Sequence, residues 1–238
     1  MTRHSRTWSV LVVAMLVLAG ANSPAQAAGK LARLFKYDML NVQVAYLEKI
    51  TGPAKYVLSA DSEGVVPRQY VVEGCEVTAY ADKGAVQGYS LRLTPKCSFN
   101  LGDFLGNRYP TTKDLTIGKF GNGAFGSDMR VQAECAYLCG NVADPQIDFT
   151  WQGPHAANFL TVVLTVVLVD DAAIDAAQRW TTLMRQKEGD DYVLNTKFNC
   201  EDKYDAAAVK DFAKVKVTDI TIGFHAPRAA AYKEGCQK

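Results

Sequence analysis

The sequence predicts an α+β protein of two related halves, each ordered strand, strand, helix, strand, strand, with mainly antiparallel pairing and disulfide crosslinks. Three observations carry that reading. Short runs of alternating apolar residues recur between turns, which is the period of half-buried strands. A series of residues matches a second series about 103 positions later. Six cysteines follow an export signal, and an oxidising compartment turns an even cysteine count into bridges.

The matched series keeps its order along the chain. Val44 and Tyr46 align with Ile147 and Phe149, Gly52-Pro53 with Gly153-Pro154, and Tyr56 with Phe159. Tyr89 and Leu91 align with Tyr192 and Leu194, Cys97 with Cys200, and residues 114–118 with 219–223. The period is too long for a solenoid repeat of about 20–50 residues, so it predicts two related units, 28–127 and 128–238.

In the second unit, Ile147 to Trp151 reads as a strand ended by Gly153-Pro154. Phe159 to Val169 is almost wholly β-branched or apolar, which predicts a strand buried on both faces. Asp170-Asp171 then supplies an N-cap, and Ala172 to Glu188 is rich in helix formers, with Ile174, Ala177, Thr181 and Met184 on one side and Gly189 as the C-cap. Tyr192 to Phe198 alternates as a strand, Asp202 to Ala213 carries a helical stripe, and Val215 to Phe224 closes the unit as a strand. The first unit follows the same plan. Asn41 to Leu47 and Tyr56 to Ala60 are its first strands, and Arg68 to Asp82 fills the helix position despite its β-branched content. Tyr89 to Leu93 and Leu115 to Phe120 are its last strands. Met129 to Tyr137 alternates as a further strand with one wet face.

The export signal has three parts. Arg3, His4 and Arg6 form a basic start, Val10 to Ala19 is uncharged and apolar, and Ala25-Gln26-Ala27 offers the small-x-small pattern cut between Ala27 and Ala28. The apolar run is about half of the roughly 20 residues a spanning helix needs, so no membrane span is expected after cleavage of residues 1–27. The mature chain is expected in the periplasm or secreted. Removing Arg3 and Arg6 leaves 24 basic side chains against 25 acidic ones, a net charge of −1. A near-neutral chain without a basic run lacks the electrostatic footprint of a nucleic-acid binder.

The cysteines are Cys75, Cys97, Cys135, Cys139, Cys200 and Cys236. Six cysteines allow 15 full pairings. Neighbour pairing gives Cys75–Cys97, Cys135–Cys139 and Cys200–Cys236, each bridge contributing roughly 2–4 kcal/mol. The C-x-x-x-C spacing is not that of a thiol oxidoreductase, and a bridge across it requires a turn rather than a straight strand. A zinc site on Cys135, Cys139 and His155 would still need a fourth ligand.

No catalytic constellation emerges. Residues 121–126 (GNGAFG) match G-x-G-x-x-G, but the segment after them reads as a strand, and without a helix there is no pyrophosphate site. A glycine-rich hairpin with an apolar tip is expected instead, and Phe120, Asn122 and Phe125 are its candidate binding residues. His155 and His225 are the histidines that survive signal removal, and neither sits in a catalytic motif. Asp170-Asp171 and Glu201-Asp202 read as helix-start acids. No cofactor is implied. The expected function is a non-catalytic exported binding protein for another protein, of the inhibitor or immunity kind. An envelope structural or assembly component is the second reading, and an envelope hydrolase with an unfamiliar site the third.

Overall fold

The computed structural model describes residues 29–106, 109–123, 129–153, 160–224 and 236. Its elements in chain order are α1 (Lys30–Leu34), α2 (Val44–Thr51), β1 (Tyr56–Val57), β2 (Val66–Val72), β3 (Cys75–Asp82), β4 (Ala85–Arg92), α3 (Gly102–Leu105) and α4 (Ile117–Gly123). There follow β5 (Arg130–Ala133), β6 (Gln146–Gln152), β7 (Thr161–Val167), α5 (Asp171–Glu188), α6 (Asp190–Leu194), a 3₁₀ turn at Lys197–Cys200, α7 (Asp205–Asp211) and β8 (Asp219–Gly223).

The eight strands form one sheet in the order β1-β2-β3-β4-β8-β7-β6-β5, antiparallel at every pairing. The expected α+β class with an antiparallel sheet therefore holds. So do the three neighbour disulfides, with Cα–Cα separations of 5.6 Å for Cys75–Cys97, 5.6 Å for Cys135–Cys139 and 5.2 Å for Cys200–Cys236.

Register sorts the sheet into two unlike faces. One row runs Val77, Leu91, Ile220, Leu164, Phe149, Val131 across six strands, every member buried. The adjacent row on the opposite face runs Thr78, Ser90, Thr221, Val163, Thr150, Arg130, and is polar but for one valine. The helices pack on the apolar face. Phe35 follows α1 and stacks on Phe99 with ring centroids 4.2 Å apart, 5.7 Å from Tyr89 of β4. Phe120 of α4 meets Trp151 of β6 at 5.8 Å, and Phe212 after α7 meets Phe149 at 5.3 Å.

Local chemistry explains the best-defined elements. Asp170 caps α5 as its sequence position demands, its carboxylate accepting from the Ala173 N–H at 2.8 Å. Glu73-Gly74 and Lys83-Gly84 take positive φ at both positions, 53°/81° and 47°/82°, and close the β2–β3 and β3–β4 hairpins with two-residue turns. Glu73 also reaches across to α1. Its carboxylate accepts from the N–H groups of Lys30 and Leu31 at 3.0 and 3.1 Å, which holds its pKa below the ordinary value.

Several expected elements are corrected. The Arg68 to Asp82 segment is the β2–β3 hairpin, not a helix, because Val71, Val72, Val77 and Thr78 favour the pleated surface. Asn41 to Leu47 gives way to helix α2, whose Val44, Leu47 and Ile50 are buried at helical spacing while Tyr46 is exposed. Leu115 to Phe120 runs into α4, and Tyr192 to Phe198 is α6 plus the 3₁₀ turn. The positions matched at a spacing of about 103 therefore fall on unlike elements: Tyr89 and Leu91 lie on a strand, Tyr192 and Leu194 on a helix. The strands before the 127/128 boundary, β1 to β4, and those after it, β5 to β8, share one sheet through the β4–β8 pairing.

Candidate functional site: a disulfide-closed loop beside the sheet edge

The site is built outward from β5, the last strand on its side. Asn199, in the 3₁₀ turn, closes the free edge with its side chain. The Ala133 N–H donates to Asn199 Oδ1 at 2.9 Å, and Asn199 Nδ2 donates to the Ala133 carbonyl at 2.8 Å. The amide thus replaces a neighbouring strand at one residue. Arg130 reinforces it, donating to the Asn199 carbonyl at 2.7 Å, to Asp205 at 2.8 Å and to the Glu201 carbonyl. Burial pushes the Asp205 carboxyl above its usual range, and Arg130 offsets only part of that. The turn itself is held by Phe198 against Trp180, 5.1 Å between centroids, and by the Cys200–Cys236 bridge.

From this anchored strand the chain enters residues 134–145, which lead to β6. Cys135–Cys139 closes a ring at a sequence separation of 4, after β5 has ended at Ala133. Inside the ring Ala136 is buried and Tyr137 is clamped. The Arg185 guanidinium lies 4.1 Å from the Tyr137 ring centroid, a cation–π contact. Arg185 is in turn held by Asp190, Nε to Oδ1 at 2.7 Å, and this bond lowers the Asp190 pKa.

Leu138 stands at the tip of the ring. It is 72% exposed, more than any other large apolar side chain among the described residues, and its φ is 51°. A bulky residue at positive φ is an outlier that costs about 1–3 kcal/mol and persists where its surroundings over-determine it. Here the disulfide on both sides and the Tyr137 clamp supply that constraint. Val142, 36% exposed, continues the loop, its N–H donating to the Cys139 carbonyl at 3.1 Å. The arrangement presents an apolar side chain on a constrained stretch of backbone. Ordering it on binding costs little entropy, which is how preorganised recognition loops gain affinity.

The residues singled out in the sequence are placed as follows. Phe120 is fully buried against Trp151 and Tyr109, so it forms no exposed tip. The helix α4 runs through Gly121, Asn122 and Gly123 where a hairpin is expected, leaving Asn122 exposed on it. Phe125, Ala27, Ala28, His155 and His225 lie outside the described residues. All six cysteines are bridged, so Cys135 and Cys139 offer no thiolate for metal or redox work. Asp170 is a cap and Asp171 sits in the first turn of α5. The Glu201 carboxylate accepts from the Tyr192 hydroxyl at 3.4 Å. Leu138 escapes sequence reasoning, because a leucine between cysteines is not marked as exposed; the C-x-x-x-C spacing is the one signal that a tight turn lies there.

Compared with protein-family models, curated proteins and solved structures, the chain matches none.

Proposed function

We propose that the chain is an exported, non-catalytic binding protein whose partner is another protein, engaged through the Leu138 loop. The observation that carries this reading is Leu138 itself, an exposed leucine held at positive φ inside a closed disulfide ring. Interface hot spots sit in well-packed, desolvated pockets on the partner, and a loop already held in its bound conformation pays less to bind. Asn122 on α4 is a secondary candidate contact.

On this reading residues 1–27 are the cleaved signal, cut between Ala27 and Ala28, and the mature protein works in the periplasm or outside the cell. Three disulfides are compatible with that location, and no helix among the described residues is long and apolar enough to cross a membrane. The halves 28–127 and 128–238 are proposed to be related. The mirrored strand order supports this, since β1 to β4 enter from one edge and β5 to β8 from the other. An inhibitor or immunity protein fits such a scaffold, with no cofactor required.

The test is an affinity capture from envelope extracts with the wild-type protein and Leu138→Asp in parallel, read by mass spectrometry and followed by a direct Kd on the recovered partner. Leu138→Asp is expected to leave folding intact and to weaken binding by about 30-fold or more, the scale of a hot-spot loss. Equal capture by both proteins would sink the assignment of the loop, and measurable turnover without a partner would sink the binding reading.

A further inference from the structure

The two edges of the sheet differ. Asn199 closes the β5 edge, whereas every residue from 55 to 64, along and beyond β1, is exposed. At that end the polar face becomes apolar: Tyr56 is 54% exposed, Leu58 46% and Val71 51%. Register puts these three side chains on one face. Tyr56 lies opposite Gln69, the Leu58 N–H donates to the Pro67 carbonyl, and Val71 follows Gln69 by two along β2. A cleft runs between them, lined by Lys55 and Tyr56 on one side and by Glu76 and Thr78 on the other. The Lys55 ammonium lies 5.2 Å from the Tyr56 ring centroid, and neither Lys55 nor Glu76 has an ion-pair partner among the described residues.

We propose that this face is the interface of a homodimer, formed about a twofold axis running along β2. Rotation about that axis exchanges the flanking strands β1 and β3 and keeps each residue at its level along β2. The levels match. Tyr56 and Thr78 both lie opposite Gln69. Leu58 and Tyr80 both lie beside Pro67. Lys55 is one residue along from Tyr56, and Glu76 lies opposite Val71, so the two differ by about one residue rise, roughly 3.4 Å. The rotation therefore sets Lys55 over Glu76 of the second copy, Tyr56 over Thr78, and Leu58 over Tyr80. Val71 and Gln69, on the axis, meet their own counterparts. Lys55 meets Glu76, Leu58 meets Tyr80 and Val71 meets Val71, while the Gln69 and Thr78 positions meet polar or aromatic groups, a pattern self-complementary in charge as a twofold interface requires.

Edge-to-edge pairing through β1 is disfavoured by the strand's own design. It is 2 residues long with a lysine just before it, both features that blunt an edge. Face packing of three strands on three buries a small area, at the low end of the range for specific complexes, so the dimer is weak and concentration-dependent. It leaves the Leu138 loops at its two far ends, about 34 Å from each β1 edge across seven strand spacings.

Sedimentation velocity of the purified chain over a dilution series tests the interface without reference to any other partner. A reversible monomer–dimer equilibrium is expected. Lys55→Glu and Glu76→Lys each create like-charge contacts twice over and are expected to weaken association by about tenfold or more. The double variant reverses both charges and is expected to recover wild-type association. Both side chains are exposed, so circular dichroism is expected to show unchanged folding. A chain that stays monomeric up to about 0.5 mM, where even a Kd near 1 mM would place about a third of it in dimer, overturns the proposal. So do single reversals without effect, or a double variant that fails to recover.

Discussion

Asn199→Ala isolates the device that closes the β5 edge. The amide makes two hydrogen bonds to Ala133, whose backbone is wholly buried, while Asn199 itself is 7% exposed. Truncation leaves one N–H and one C=O unpaired in a place that water reaches poorly. A buried group left unsatisfied costs about 1–3 kcal/mol, so the expected loss is roughly 2–4 kcal/mol after some water entry into the vacated space. For a chain of this size that lowers Tm by roughly 5–12 °C. Equilibrium unfolding in urea, followed by tryptophan emission and far-ultraviolet dichroism with the disulfides intact, reads it directly. Asn199→Asp sharpens the test. It keeps an acceptor for the Ala133 N–H but aims a carboxylate oxygen at the Ala133 carbonyl. Its loss is expected to match that of the alanine variant at neutral pH and to shrink on acidification, as the protonated carboxyl regains a donor. A loss below about 0.5 kcal/mol for Asn199→Ala, the scatter of ordinary surface changes, would refute the edge-closing role.

Three further perturbations follow from the packing and the electrostatics. Glu73 has its pKa lowered by the Leu31 and Lys30 N–H groups, so its stabilisation is present above the unfolded glutamate value and is lost as pH falls through the folded one; thermal melts of wild type and Glu73→Gln are expected to differ at neutral pH and to converge in acid. Gly118→Ala places a Cβ 2.7 Å from the Ala213 carbonyl oxygen, so α4 must shift off the segment after α7, and a loss of about 1–3 kcal/mol in urea unfolding is expected. Trp180→Phe keeps the ring packing on Phe198 but removes the indole N–H that donates to the buried Tyr204 carbonyl at 3.0 Å; a loss of about 1–3 kcal/mol is expected by the same measurement.

The sequence is most legible where one period dominates. Residues 161–167 admit no helical face, and Asp170 with Gly189 brackets α5, so both elements fall close to their expected places. Legibility fails where two periods coexist. Val44 and Tyr46 alternate as a strand would, but Val44, Leu47 and Ile50 also repeat as a helix would, and burial of the second set decides the matter. Tyr192, Leu194 and Phe198 alternate too, yet Leu194 is 48% exposed while Val193 is buried, and the chain coils. The hairpin at Arg68 to Asp82 is lost for a different reason: the apparent duplication imposes a helix there against β-branched content that points the other way. At the candidate site the bridges are readable from spacing. The partners that fix the loop, Arg185 and Asn199, are distant in sequence and carry no local mark.

The placement of β8 governs when the sheet can exist at all. It follows every other strand among the described residues yet lies in the middle of the sheet, pairing Gly88 with Gly223 on one side and Thr161 with Gly223 on the other. Until residues 219–223 are available, β4 and β7 are two raw edges with nothing between them, and neither group of strands has its full complement of backbone partners. Folding must therefore wait for the distal part of the polypeptide and then make contacts across more than half its length, the kind of topology that folds slowly.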